Sequence, residues 1–199
     1  FILGENFIGN DSVSLILGDN LFFGNNFQDT VQSAKNNCNG ATIFTYQVKN
    51  PNRYGVAVFD RNQKVISLEE KPKFPKSNYA VTGLYFYDNS VVEIAKSISP
   101  SVRGEIEITS INNEYLSQGL LNVKIFGRGM AWFDTGTYES LLEASQFVYT
   151  LQNRQGLMIG APEEIAWNNG WISDQQLDKL SSKLCNSTYG KYLSNLLLT

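Results

Sequence analysis

Histidine is absent from this 199-residue sequence, and that absence removes several chemistries at once. Ser-His-Asp triads, Cys-His pairs and His-ligated metals are excluded, leaving carboxylates, Lys, Arg and backbone groups to do any chemistry. Cysteine is scarce. Cys38 and Cys185 stand alone and far apart, with no CxxC pair to suggest a zinc site or a disulfide framework, and a reducing cytoplasm is expected. No apolar run approaches the roughly 18 residues of a membrane span. The terminal Leu196-Leu197-Leu198 is too short to be more than a helix end, and no signal-peptide pattern opens the sequence. Basic blocks are missing as well. With a net charge of -3 and no Lys/Arg-rich amphipathic face, neither nucleic acid nor an anionic membrane is the expected partner. The sequence starts Phe1-Ile2-Leu3-Gly4, without Met, and reads like the interior of a domain, so a fragment is expected.

What is present is enough for a sizeable core: 42% of the residues are hydrophobic. Val13-Leu17 is a continuous apolar run ending in a Gly-Asp-Asn turn, the pattern of a buried parallel strand. Phe27, Val31 and Ala34 share one helical face, with Asn25 or Asn26 as the cap, and Ala41-Val48 returns as a strand. Strand, helix and strand in this order predict a βαβ unit with a right-handed crossover. Further strands are predicted at Tyr54-Phe59, Val65-Glu69, Tyr79-Tyr87 and Leu121-Phe126. Asn89-Lys96, Glu107-Leu116 and Ser140-Leu151 are helical by period, and short helices follow at Glu163-Trp167, Asp174-Leu180 and Tyr189-Leu197. The expected architecture is α/β, Rossmann-like, with a mixed, mostly parallel sheet over residues 1–153 and a small helical appendage over 154–199.

Two carboxylates each follow an apolar stretch: Asp19 in Leu17-Gly18-Asp19-Asn20 and Asp134 in Trp132-Phe133-Asp134-Thr135-Gly136-Thr137. In open α/β sheets ligands sit beyond the carboxyl ends of the strands, and a carboxylate pair plus substrate phosphates is how Mg²⁺ is usually held. Asp19 can equally be a turn residue, and Asp134 can cap the helix from Thr137. Glu69-Glu70-Lys71-Pro72 ends another strand; if side chains alternate, Glu69 and Lys71 share one face and Glu70 the other. That run reads either as a charged, solvated edge or as a Lys for a phosphate with Glu70 for a sugar hydroxyl. Arg103-Gly104-Glu105 either begins a helix or places an Arg fork on a phosphate. Tyr54-Gly55 permits close backbone approach to a ligand, or marks a bulge. The inventory points to metal-assisted phosphoryl or nucleotidyl transfer involving a sugar phosphate.

These segments, with Arg53-Tyr54-Gly55-Val56, Leu68-Glu69-Glu70-Lys71-Pro72, Tyr79 to Tyr87 and Arg103-Gly104-Glu105-Ile106-Glu107-Ile108-Thr109, occur in an order that resembles the glucose-1-phosphate thymidylyltransferases. The resemblance runs over essentially the whole sequence, including Arg154-Gln155-Gly156-Leu157 and Pro162-Glu163-Glu164-Ile165-Ala166. It implies transfer of a thymidylyl group from dTTP to α-D-glucose 1-phosphate, giving dTDP-glucose and pyrophosphate in dTDP-L-rhamnose synthesis. By position it implies Asp19 and Asp134 as Mg²⁺ ligands and Lys71 and Arg103 on the sugar phosphate. It likewise implies Tyr54, Gly55, Glu70, Val81 and Tyr85 around the glucose, with Trp132 and Glu105 beside it. It further implies a homotetramer inhibited by dTDP-rhamnose. The family's Gly-x-Gly-Thr-Arg-Leu loop, which cradles the triphosphate, is not found here, so Phe1–Thr199 alone is expected to be inactive. A UTP-using nucleotidyltransferase and a non-catalytic sugar-phosphate-binding protein are the competing expectations.

Overall fold

A computed structural model describes residues 1–36, 39–101 and 104–198; Cys38 and Arg103, singled out above, lie outside them. The chain forms two compact units, Phe1–Thr137 and Tyr138–Thr199. The first carries α1 (Glu5–Ile8), β1 (Val13–Ile16), β2 (Asn20–Gly24), α2 (Phe27–Asn36), β3 (Ala41–Gln47), β4 (Gly55–Phe59) and β5 (Val65–Glu70). β6 (Tyr79–Tyr87), α3 (Val91–Ser97), α4 (Ile108–Ser117), β7 (Leu121–Phe126) and β8 (Met130–Asp134) complete it.

The six-stranded sheet runs β5-β4-β6-β3-β7, with β1 also paired to β6. It is mixed, as expected for the class. β1, β3, β4 and β7 run one way; β5 and β6 run the other, so β3–β7 is the parallel neighbour pair among the described strands and the remaining pairings are antiparallel. β6 is buried along nearly its whole length because apolar residues leave it on both faces. Tyr85 and Tyr87 join Ile43, Ile94 and Tyr115 in a core beneath α3 and α4. Leu84 joins Phe44, Phe126 and Ala34 of α2 in the core on the other face. The period-2 geometry of a strand makes this division: adjacent residues such as Ile43 and Phe44 feed opposite layers.

The βαβ expectation needs correction. β1 and β3 do run the same way, but β6 lies between them. β2 also intervenes between the Asp19 turn and α2, pairing with the distant β8 as a separate two-stranded ribbon.

One detail of β6 creates a crevice. Along the same edge, β1 pairs with residues from Leu84 onward, while β4 pairs with Tyr79 and Ala80. The two strands therefore meet end to end beside Val81–Gly83. There a crevice lies between Leu17–Asn20 and Tyr54–Gly55, with the Leu17 N–H still donating to the Gly83 carbonyl of β6 at 2.8 Å.

The second unit holds α5 (Tyr138–Gln155), α6 (Pro162–Asn168), α7 (Asp174–Lys183) and α8 (Thr188–Leu196). α5 groups with this unit, so the contact boundary falls ahead of the 153/154 division read from the sequence. At its end, the Gln152 side-chain amide contacts the Met158 sulfur at 3.2 Å, and Met158 packs on the Ala161, Leu177, Tyr192 and Leu193 core. Pro162 opens α6, and a Ser173/Gln176 capping box opens α7. The Tyr189 and Tyr192 hydroxyls donate to Glu163 and Glu164, tying α8 to α6. Among the described residues no helix is long and apolar enough to cross a membrane.

Candidate active site

Antiparallel pairing of β2 with β8 places Asn20 opposite Asp134, so the strand-end carboxylates Asp19 and Asp134 come to the same end of the ribbon. Thr135 secures the junction: its N–H and its hydroxyl donate to the Asp19 carbonyl at 2.8 and 2.9 Å. Both side chains converge over Gly136. A methyl group on Gly136 would sit 3.1 Å from Asp134 Oδ1 and 3.5 Å from Asp19 Oδ2. Each carboxylate is oriented locally, Asp19 Oδ1 by the Asn20 amide at 2.9 Å and Asp134 Oδ1 by the Gly136 N–H at 3.1 Å. Among the described residues no third acidic, His or Cys side chain joins them. Two convergent carboxylates suit a hard cation that keeps waters or phosphate oxygens as its other ligands.

The carboxylates face a cavity of about 200 Å³ in the crevice beside Val81–Gly83. Of the positions singled out in the sequence, Asp19, Tyr54, Gly55, Glu70, Lys71, Val81, Tyr85, Trp132 and Asp134 line it. Glu70 lies opposite Gly55 on β4 and accepts from the Thr109 hydroxyl. A Cβ at Gly55 would stand 3.1 Å from Thr109 Oγ1, so the hydroxyl that Glu70 accepts from would have to give by a few tenths of an ångström. Tyr54 leans on Trp132, ring centroids 5.1 Å apart, forming an aromatic wall across from Glu70. Burial pushes the Tyr85 and Tyr54 phenols upward, reinforced by the charge of Glu70 and of Asp134 respectively, while Arg53 opposes the shift at Tyr54. Both phenols stay protonated at neutral pH and can donate to a polar ligand.

Lys71 departs from strand alternation. Its backbone has φ +42°, in the left-handed region that non-Gly residues seldom occupy, and its N–H donates to the Tyr54 carbonyl at 3.0 Å. The twist corrects the expected pattern: Glu70 and Lys71 both enter the cavity, while Glu69 pairs outside it with Lys76 at 2.5 Å. Lys71 Nζ stands 3.9 Å from Glu70 Oε1 and its side chain is half exposed, a cation held at the cavity mouth.

Glu105 is exposed and is not part of the cavity lining; its carbonyl accepts from the Ser101 N–H at 2.8 Å. Sequence reasoning missed Asn20, Gly83 and Thr109, all in the lining. Asn20 Oδ1 accepts from Trp132 Nε1 at 2.6 Å and from the Gly83 N–H at 3.0 Å. The signal was available in part, since Asn20 directly follows Asp19 in the same turn and Thr109 closes the Arg103–Thr109 segment.

A lysine in left-handed backbone, two convergent carboxylates and an aromatic-walled cavity thus lie together in the crevice of a mixed sheet. Residues 1–150 match the family model described as Nucleotidyl transferase. Over 197 residues, 99% of this chain and 68% of the relative, the chain is 56% identical to the glucose-1-phosphate thymidylyltransferase of Neisseria meningitidis serogroup A. The enzyme of that name from Mycobacterium tuberculosis is 53% identical over the same shares. A Bacillus anthracis protein assigned that name, crystallised with sucrose, superimposes with TM-score 0.65 at 45% identity, covering 73% of this chain and 57% of its own. A UDP-glucose pyrophosphorylase complexed with UDP-glucose gives TM-score 0.65 at 25% identity, covering 75% and 60%. The chain belongs to the nucleotidyl transferase family and, within it, to the glucose-1-phosphate thymidylyltransferases.

Proposed function

We propose that this chain carries the sugar-phosphate and metal half of an enzyme that transfers a thymidylyl group from dTTP to α-D-glucose 1-phosphate, releasing pyrophosphate. The observation that carries the reading is the convergence of Asp19 and Asp134 over Gly136, at the rim of a cavity that also holds Glu70 and Lys71. The names of the relatives supply the base and the sugar.

The attacking group in this reaction is a phosphate oxygen of the sugar. With a second pKa near 6, a phosphate monoester is already mostly dianionic at neutral pH, so no general base is needed and the absence of histidine is no obstacle. Asp19 and Asp134 would hold Mg²⁺, which supplies charge neutralisation at the α-phosphate and alignment of the reactants. Lys71 at the cavity mouth offsets repulsion from the sugar phosphate, and Arg103 shares that role by resemblance. Glu70, fixed by Thr109, accepts from sugar hydroxyls. The Tyr54–Trp132 wall gives the apolar face of the ring a surface and excludes water beside the phosphate.

The test is an assay of the full-length enzyme against dTTP, UTP and other nucleoside triphosphates, each with glucose, galactose and mannose 1-phosphates. dTDP-glucose formation from dTTP and glucose 1-phosphate at the highest kcat/KM is expected. A higher kcat/KM with another pair, or no nucleotidyl transfer with any, would overturn the assignment.

A further inference from the structure

Asn20 stands between the two halves of the site. Its Nδ2 donates to Asp19 Oδ1 at 2.9 Å, while its Oδ1 accepts from both Trp132 Nε1 at 2.6 Å and the Gly83 N–H at 3.0 Å. An amide has one donor end and one acceptor end, and here each end is fixed by what it meets: a carboxylate needs a donor, two N–H groups need an acceptor. The side chain therefore has a single orientation that satisfies all three partners. Gly83 contributes by what it omits, since a methyl group there would sit 2.7 Å from the Asn20 side chain.

We propose that Asn20 is a positioning residue that sets the Asp19 carboxylate for metal binding against the Trp132 wall of the sugar cavity. This rests on the reading of Asp19 as a metal ligand. Through Asn20 a displacement of the indole by sugar is transmitted to the carboxylate, and a displacement of the carboxylate by metal to the indole. Neither end requires Asn20 to touch a reactant.

Three variants of the full-length enzyme test this. Asn20→Ala removes all three bonds. Gly83→Ala leaves Asn20 chemically intact but forces its side chain to shift; the Gly83 backbone is not left-handed, so the substitution adds no backbone strain of its own. Asp19→Asn is the control on the parent reading. The readouts are the Mn²⁺ dissociation constant by electron paramagnetic resonance, the KM-against-kcat split, and the melting temperature. Asn20→Ala is expected to weaken Mn²⁺ binding about ten-fold, the equivalent of one lost hydrogen bond to a charged group. KM for glucose 1-phosphate should rise in the same variant while KM for dTTP holds within about two-fold. Gly83→Ala should reproduce both shifts in the same direction. If Asp19→Asn weakens Mn²⁺ binding while Asn20→Ala and Gly83→Ala leave it unchanged, the positioning role is wrong and the metal assignment stands. If Asp19→Asn itself leaves Mn²⁺ binding unchanged, the metal reading fails and this proposal with it. Loss of cooperative melting in Asn20→Ala with Gly83→Ala folded and normal in Mn²⁺ affinity would also overturn it, reducing Asn20 to a structural bond.

Discussion

Gly136→Ala perturbs the carboxylate pair without altering either carboxylate. Gly136 is exposed and its backbone lies outside the left-handed region, so the substitution itself is compatible with the chain. The new methyl would stand 3.1 Å from Asp134 Oδ1, requiring that oxygen to give by a few tenths of an ångström, and 3.5 Å from Asp19 Oδ2, an ordinary contact. The Gly136 N–H that now orients Asp134 at 3.1 Å is retained. The fold has little to lose: a surface change of this kind is worth about 0.5 kcal/mol or less in stability. A metal site is less forgiving. Disturbing the groups that orient ligands costs about 10–100-fold in metal affinity or activity. We therefore expect Gly136→Ala to raise the Mg²⁺ concentration for half-maximal turnover about ten-fold with the melting temperature within about 2 °C of the parent. The assay is initial rate of pyrophosphate release across a Mg²⁺ titration at saturating substrates, alongside a thermal melt. Unchanged half-saturation and kcat in a normally folded variant would refute the reasoning and reduce Asp134 to a local turn acceptor.

Asp134→Asn should abolish most turnover with the fold intact; near-normal kcat at ordinary Mg²⁺ concentrations would contradict its role as a ligand. Glu70→Ala should raise KM for glucose 1-phosphate more than KM for dTTP, by the equivalent of about 1.5–3 kcal/mol, and equal effects on both substrates would rule out a sugar-specific role. In the helical unit, burial and then the Glu163 carboxylate push the Tyr189 phenol up to about 12. A raised folded pKa means this contribution is intact below the ordinary tyrosine value near 10 and is lost as pH rises from there toward 12. Tyr189→Phe should therefore melt with a shallower decline across that window than the parent, and identical declines would exclude the phenol as a source.

The sheet strands rich in apolar and β-branched residues were legible because their pattern is local. Tyr79–Tyr87 and Leu121–Phe126 lie where the sequence places them. β2 was not legible: Leu21, Phe22 and Phe23 show no alternation, and the segment is a strand because Met130–Asp134, more than a hundred residues on, offers it a partner. Lys71 defeated the alternation rule for a similar reason, its left-handed backbone being held by a bond to Tyr54 on the neighbouring segment. Residue types disclosed the carboxylates and the Lys. The carboxylates converge because β2 pairs with β8, and the lysine comes near them where two strands meet end to end along β6; no local pattern encodes either. Asn20 escaped notice because its value lies in three partners, two of which, Gly83 and Trp132, are far from it in sequence.

The two-stranded ribbon has a consequence for how such a site can diverge. Asp19 precedes its first strand and Asp134 ends its second, so the spacing between the carboxylates is a property of one small hairpin-like frame. The adjoining cavity draws Glu70, Val81 and Tyr85 from the six-stranded sheet instead. Substitutions that reshape the sheet wall alter the shape of the cavity while the frame keeps its own dimensions. Separate load paths of this kind let the cavity drift through many small changes on the sheet without each one having to re-establish the spacing of the carboxylates.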